Sequence, residues 1–115
     1  MSDETLPLLQ GTLDILVLKA LAPEPMHGYA VARWIRETTD DALQIEEGAL
    51  YTALHRLEKK GLIKGGWGLT DTGRRARFYT LTKKGSQTLQ KETARWEEHA
   101  GAVFSILEYA GETKP

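Results

Sequence analysis

Side chains that bind phosphate are concentrated between residues 51 and 85 of this 115-residue chain. The segment holds nine Lys and Arg residues but only two Asp and Glu residues. Residues 1–50 hold three basic and nine acidic residues, so the net charge of −1 for the whole chain conceals a basic segment behind an acidic one. Such an asymmetry indicates an interaction with nucleic acid or with another anionic surface.

Two groups of side chains in the basic segment are candidates for contacts with DNA. Arginine and lysine bind phosphate oxygens and guanine edges, and hydroxyl or imidazole groups can bond to a phosphate. A projection at about 100° per residue places the first group on one face of a helix, and the second group lies on a predicted hairpin. The candidates are Tyr51, Thr52, His55, Arg56 and Lys59 on the helix, and Arg74, Arg75 and Arg77 on the hairpin. The alternative is a tyrosine at the edge of the core for Tyr51 and an ordinary solvated surface position for His55 and the basic residues.

Few other residues could do chemistry. The chain has no cysteine, which excludes disulfides, thiolate zinc sites and cysteine nucleophiles. His27, His55 and His99 lack the spacing of metal ligands, and no glycine-rich phosphate loop or nucleophile elbow is present. We therefore expect no enzyme activity, no metal and no cofactor.

Three helices, a hairpin and a long final helix must position these candidates. Hydrophobic periodicity and turn residues predict helices at 6–21 (with Thr12 as an alternative start), 27–39, 46–60 and 83–109, strands at 62–69 and 76–81, and a short extended segment at 43–45. The predicted fold class is mainly α with a small β-hairpin. In this order, the elements form a winged helix-turn-helix followed by a long C-terminal dimerisation helix.

Several residues have the chemistry of helix ends and turns. Gly61 is placed to end the third helix, and Gly73 can supply the positive φ of a hairpin turn. His27 is expected to order the start of the second helix. Asp14 and Glu46 are interpreted as negative charges that favour a helix N-terminus.

The first and last helices carry more apolar surface than one small domain can bury. The first helix is apolar on most sides, and the last has an imperfect heptad seam of about three repeats. The predicted dimerisation residues are Leu9, Leu13, Leu16, Leu89, Trp96, Val103 and Leu107. Trp96 has two overlapping interpretations, an anchor of the dimer core and a wall of an effector pocket at the dimer interface.

The length of the chain predicts one compact domain with an attached helix. We assign residues 1–82 to a winged helix-turn-helix DNA-binding domain, residues 83–110 to a C-terminal dimerisation helix and residues 111–115 to a flexible tail. Asp14 and Lys19 interrupt the longest apolar run, and the first residues are acidic, so we expect neither a membrane segment nor a signal peptide. The expected location is the cytoplasm.

Five segments of the chain together resemble one family of regulators. They are LQGTLD at 9–14, HGY at 27–29, GALY at 48–51, LHRLE at 54–58 and RFYTLT at 77–82. In this order and spacing they resemble PadR-type transcriptional regulators over residues 8–107, and most of all the short subgroup with a single C-terminal helix. The chain departs from the family pattern at Glu46, where small polar residues are usual, and at Gly65 and Gly66, where larger residues are usual.

The resemblance implies a homodimeric winged-helix repressor whose last helix packs against the first helix of the partner subunit. Many such regulators release DNA when a small molecule binds, and some hold planar apolar compounds between aromatic side chains at the dimer interface. We therefore predict a homodimeric repressor that reads an inverted-repeat operator in double-stranded DNA, with a small apolar or aromatic effector as a candidate ligand.

Two alternatives remain open. The first is a winged-helix protein-interaction module that no longer reads DNA, which is favoured by Glu46 and Glu47 beside the basic surface. The second is a winged-helix regulator that responds to a metal, which the absence of cysteine and of clustered histidine disfavours.

Overall fold

The computed structural model describes residues 11–111, and these form four helices and a small three-stranded sheet. The elements are α1 (Thr12–Ala20), β1 (Met26–His27), α2 (Gly28–Thr38), α3 (Glu47–Lys59), β2 (Ile63–Leu69), β3 (Arg75–Leu81) and α4 (Lys83–Leu107). The predicted fold class is confirmed. Leu9 and residues 112–115 of the predicted tail lie outside the described residues.

Side chains cap the starts of three helices, and each cap satisfies a backbone N–H that has no partner within the helix. The Nδ1 atom of His27 accepts a hydrogen bond from the backbone of Ala30, as the predicted role of His27 requires. Glu46 accepts from Ala49 at the start of α3, and Thr82 accepts from Gly85 at the start of α4. Glu46, which replaces the small polar residue usual in the resembled family, therefore acts as the N-cap of α3.

The antiparallel sheet has the strand order β1-β3-β2. We call the β2–β3 hairpin, residues 63–81, the wing. Its turn uses Gly73 at a φ of 82°, and α3 ends before Gly61 at a φ of 78°, as predicted for both glycines. The third strand, β1, pairs His27 with Phe78 and Met26 with Tyr79. It was not predicted, because two residues are too few to show a periodicity.

The extended segment predicted at residues 43–45 is not a strand. These residues have no regular secondary structure, and Leu43 and Ile45 pack against the core instead. Two residues with positive φ, Asp40 and Asp41, turn the chain out of α2 just before this segment. The apolar side chains at 43 and 45 therefore anchor a connection between α2 and α3.

One hydrophobic core lies beneath the sheet and holds all four helices. Its buried side chains include Leu18 and Val17 of α1, Val31 and Ile35 of α2, Leu50, Leu54 and Leu57 of α3, Ile63 of β2, Tyr79 of β3 and Leu89 of α4. Leu89, which the heptad pattern predicts in the dimer seam, is buried in the core of its own subunit. The core therefore fixes α3 and the start of α4 relative to each other.

The two ends of α4 have opposite environments. At the start, Gly85 lies so close to the backbone carbonyl of Leu62 that a Cβ atom would not fit, and the hydroxyl of Thr82 donates to the carbonyl oxygen of Gly61 at 2.7 Å. At the distal end, defined here as residues 101–107, every residue is exposed. Leu107 and Ile106 are 71% and 76% exposed. The helix is about 37 Å long at 1.5 Å per residue.

Candidate nucleic-acid interface

The outer face of α3 brings together the residues of this helix that are candidates for DNA contacts. Leu50, Ala53, Leu54 and Leu57 are buried on the side of α3 that faces the core, and the opposite side is open to solvent. All five helix candidates are exposed on that outer side: Tyr51, Thr52, His55, Arg56 and Lys59. The structure therefore presents a hydrogen-bonding and basic helix face, the kind of surface that fits the major groove of B-DNA.

Arg56 is held by a carboxylate from another helix. Its guanidinium donates from Nη2 to one oxygen of Asp14, and its Nε lies 3.4 Å from the other oxygen. The hydrogen bond to Asp14 raises the pKa of Arg56 above its ordinary value. Asp14 does lie in the first turn of α1, but it also neutralises part of the charge of Arg56. Sequence spacing could not show this contact, because the two residues are 42 positions apart.

The tip of the wing carries Arg74 and Arg75, both exposed. The guanidinium carbon of Arg75 lies 4.6 Å from the centroid of the Trp67 ring, which is a cation–π distance. Trp67 is itself 63% exposed and was not singled out in the sequence. The indole limits the directions in which the Arg75 side chain can point. In the sequence, the only indication of this contact is a single tryptophan within a glycine-rich strand.

Arg77 joins the wing to α3. Its Nη2 atom donates to Oε2 of Glu58 at 2.6 Å, and this hydrogen bond raises the pKa of Arg77. Gly65 faces this side chain, and a Cβ atom there would lie 2.6 Å from Nε of Arg77. The glycine at 65 thus gives the arginine room to cross the sheet, which explains one departure from the family pattern. Burial raises the pKa of the neighbouring Tyr79 phenol.

A polar cleft of about 540 Å³ lies between α2, the start of α3 and the wing. The side chains that line it include Tyr29, Arg33, Tyr51, Arg74, Arg75 and Arg77. Tyr51 packs over Gly28, where a Cβ atom would lie 2.8 Å from the phenol oxygen. The cleft therefore brings one helix candidate and all three wing candidates together. The contributions of Tyr29 and Arg33 were missed, because a single Tyr and Arg on a short helix look like solvated surface.

An apolar cavity of about 630 Å³, open to solvent, lies between α1 and α4. Its walls include Ile15 and Leu16 of α1 and Leu89, Thr93 and Trp96 of α4. Leu13 packs against the edge of the core. Trp96 is half-buried and meets the ring of His99 edge-on at 6.2 Å. Of the predicted dimerisation residues, Val103 and Leu107 lie far along α4 and are exposed, whereas Leu16, Leu89 and Trp96 border this cavity.

Among residues 11–111, no cluster of three His, Asp or Glu side chains could hold a metal ion. No helix in the same range combines the length and the apolar character that crossing a membrane requires.

Comparison with known proteins identifies a family and a set of similar structures. Residues 17–91 match the model of the transcriptional regulator PadR-like family. The structure of a transcriptional regulator from Clostridium thermocellum is 30% identical in sequence with a TM-score of 0.75, over 89% of this chain and 93% of that one. A PadR family transcription regulator from Clostridium difficile is 30% identical with a TM-score of 0.74, over 84% and 99% of the two chains. An uncharacterized protein from Lysinibacillus sphaericus is 30% identical over 101 residues, which are 88% of this chain and 93% of the relative.

Proposed function

The chain belongs to the PadR-like family of transcriptional regulators, and on that basis we propose that it is a homodimeric repressor of transcription. Each subunit places α3 in a major groove and the wing over the adjacent backbone. The observation that carries the proposal is the cleft in which Tyr51 of α3 meets Arg74, Arg75 and Arg77 of the wing. Two elements that are distant in the sequence thus converge on one basic surface.

The dimer in this proposal forms through α4. The distal end of α4 exposes Val103, Phe104, Ile106 and Leu107, and contiguous apolar surface of this kind marks an interaction site. Residues 1–82 then act as the reading domain, residues 83–110 as the dimerisation helix and residues 111–115 as a tail. Two-fold symmetry requires an inverted-repeat operator with half-sites about one helical turn apart. A repressor of this kind works in the cytoplasm, in contact with the DNA that it binds.

The apolar cavity between α1 and α4 is the proposed effector site. Its volume is within the range of small-molecule pockets, and its walls are largely apolar with Trp96 on one side. A small apolar or aromatic molecule fits this chemistry. Such a ligand releases DNA only if it binds the DNA-free arrangement of the dimer better than the DNA-bound one.

Binding to labelled DNA tests the proposed function. Fragments that tile the region upstream of the gene for this protein are titrated with the protein, and fluorescence anisotropy is measured at several salt concentrations. One fragment is expected to bind with a Kd in the range of about 10⁻⁸ to 10⁻¹¹ M and to contain an inverted repeat. Equal, weak binding to every fragment would contradict a sequence-specific repressor.

A second candidate function is a protein-interaction module that does not read DNA. Glu46 and Glu47 are exposed at the start of α3, and Asp14 and Glu58 pair with Arg56 and Arg77. These four carboxylates oppose phosphate binding at the same surface. If no upstream fragment binds even at low salt, where phosphate contacts are strongest, this second function is favoured.

A further inference from the structure

The start of α3 carries a carboxylate that is held in place by the helix itself. The backbone of Glu46 is extended, and Oε1 of its side chain accepts a hydrogen bond from the backbone N–H of Ala49 at 3.2 Å. The carbonyl oxygen of Glu46 accepts from the N–H of Leu50 at 3.0 Å. Because the cap already restricts the rotamers of this side chain, little conformational freedom remains to be lost when a ligand binds to it.

This carboxylate lies on the side of α3 that carries the candidates for DNA contacts. A Cβ atom on Gly48 would lie 3.5 and 3.8 Å from the two carboxylate oxygens of Glu46, and both residues are exposed. Projected at about 100° per residue, Gly48 falls near the middle of the arc that runs from Tyr51 to Arg56. Gly48 has no side chain to hold a partner away, so a groove that receives this face also reaches the carboxylate of Glu46.

The carboxylate of Glu46 keeps hydrogen-bonding capacity after it has capped the helix. Among residues 11–111, Oε2 accepts no hydrogen bond, and no Lys, Arg or His nitrogen lies within 4.0 Å of either oxygen. An ionised carboxylate can only accept hydrogen bonds, and a phosphate group of DNA offers it no donor. The group in DNA that fits Glu46 is therefore a donor on a base edge.

Cytosine has the major-groove edge that matches an acceptor best. It presents only the N4 amino donor, whereas guanine presents two acceptors and thymine presents an acceptor and a methyl group. Adenine presents an amino donor beside the N7 acceptor, so a carboxylate placed there would also face a lone pair. The residues at the start of a recognition helix are the ones that contact base edges in helix-turn-helix proteins.

We propose that Glu46 is a specificity-determining residue that accepts a hydrogen bond from N4 of one cytosine in each half-site of the operator. The inference rests on the proposed function and names one base that α3 reads. It also explains why a surface that binds a polyanion carries a carboxylate. The negative charge disfavours base pairs that present acceptors at this position, and so lowers the affinity for wrong sequences.

A scan of every base pair in one half-site tests the proposal, with the wild type and Glu46→Ser compared on the upstream fragment by fluorescence anisotropy. Serine is a good N-cap, so the variant keeps the start of α3 and loses only the carboxylate, which an unchanged melting temperature verifies. Changing the contacted C·G pair should weaken wild-type binding roughly tenfold, whereas Glu46→Ser should bind all four base pairs there within about threefold of one another.

Two controls separate the reading of a base from a general effect of charge. Glu47→Ser removes the neighbouring exposed carboxylate, which the same projection places about 100° around the helix from Gly48, and this variant should discriminate as the wild type does. Replacing the contacted cytosine by 2-pyrimidinone removes only the amino group. This replacement should weaken wild-type binding about as much as a changed base pair and should leave binding of Glu46→Ser unchanged.

Each contrary outcome has a distinct meaning. If the wild type binds its fragment and the two scans agree, or differ by one factor at every position, Glu46 reads no base and the inference is overturned while the proposed function stands. If Glu46→Ser loses discrimination at a position where the preferred base is not cytosine, the assignment to N4 of cytosine is wrong. If the wild type binds no fragment, the proposed function fails and this inference fails with it.

Discussion

The winged-helix body and the distal end of α4 expose opposite kinds of surface. The body, residues 12–89, packs most of its apolar side chains into one core, leaves Trp67 and Leu69 of the wing exposed, and turns most of its arginines and lysines outward. The distal end of α4 has no part in that core and turns Val103, Phe104, Ile106 and Leu107 outward. The body is complete as a single subunit, whereas the distal end of α4 lacks the surface against which an amphipathic helix normally packs.

In the proposed dimer, the start of α4 therefore serves the folding of the subunit and the distal end of α4 serves assembly. Leu89 lies two turns after the start of α4 and is buried within the subunit, and Leu107 lies five turns further on and is 71% exposed. Covering a fully exposed Leu, Ile or Phe side chain stabilises an assembly by about 1.5–3 kcal/mol. In the proposed dimer, the second copy covers the four apolar side chains at this end of the helix.

The largest expected effect comes from Leu107→Asp. A buried carboxylate without a partner is strongly unfavourable at an apolar interface, so the variant should sediment as a monomer while the body keeps its fold. Operator affinity should fall by about a hundredfold or more, because the two half-sites are no longer bound by one linked molecule. Analytical ultracentrifugation and anisotropy measure the two effects.

Ser105→Asp is the control for that variant. Ser105 is exposed at the same end of α4 but lies outside the predicted seam, and its hydroxyl donates to the carbonyl oxygen of Gly101. It should remain dimeric. A dimer that survives Leu107→Asp would show that the distal end is not the assembly surface.

At the other end of the helix, Leu89→Ala is expected to destabilise the subunit itself. Removing a buried leucine side chain costs about 2–5 kcal/mol, and Leu89 is only 9% exposed. Chemical denaturation should therefore show a lower free energy of unfolding, with the dimer intact below the transition. Dissociation without any loss of subunit stability would place Leu89 in the interface and remove the contrast between the two ends of α4.

Arginines with and without a carboxylate partner among residues 11–111 should respond differently to salt. Arg74→Ala combined with Arg75→Ala should lower the slope of log K against log salt by about 1.8 per subunit, since two charges without such a partner are lost. Arg56→Ala should also weaken operator binding far more than it lowers the melting temperature, but with a smaller change in slope, because Asp14 already neutralises part of its charge. Equal slopes for the wild type and the double variant would exclude the wing tip from the interface.

The smallest effect is expected from Asp14→Asn. The two side chains of this ion pair are 43% and 30% exposed, so solvent screens it and the pair contributes at most about 1 kcal/mol to stability. The variant frees the guanidinium of Arg56, and the salt slope should rise by up to about 0.9 per subunit. Anisotropy at four or more salt concentrations resolves this change. An unchanged slope would mean that Arg56 does not reach a phosphate even when it is free.

Local sequence signals predicted the helices and the turn of the wing well. His27, Gly61 and Gly73 act on backbone groups within a few residues, so their chemistry alone indicates where α2 starts, where α3 ends and where the wing turns. The seven-residue periodicity of α4 was also visible. It could not show that Leu89 faces the subunit core, because the same apolar repeat describes a residue packed within a subunit and one packed against a partner.

Contacts between residues far apart in the sequence could not be predicted from it. The pairs Arg56–Asp14 and Arg77–Glu58 join positions 42 and 19 apart and depend on how the helices cross and how the wing folds back. The addition of Tyr29 and Arg33 to the cleft depends likewise on the approach of the wing to α2. Spacing along one element selects a face, but only the packing of elements shows which faces meet.

The close contact between Gly85 and the carbonyl of Leu62 makes α4 a lever whose fulcrum lies just before the first strand of the wing. From Gly85 to Leu107 the helix extends about 33 Å, so a tilt of about 5° at the fulcrum moves the far end by about 3 Å. The apolar cavity lies along the first half of this arm, between the fulcrum and the distal end. A molecule that binds there and pushes α4 away from α1 would cause a small local displacement. In the proposed dimer, that displacement would change the separation of the two α3 helices.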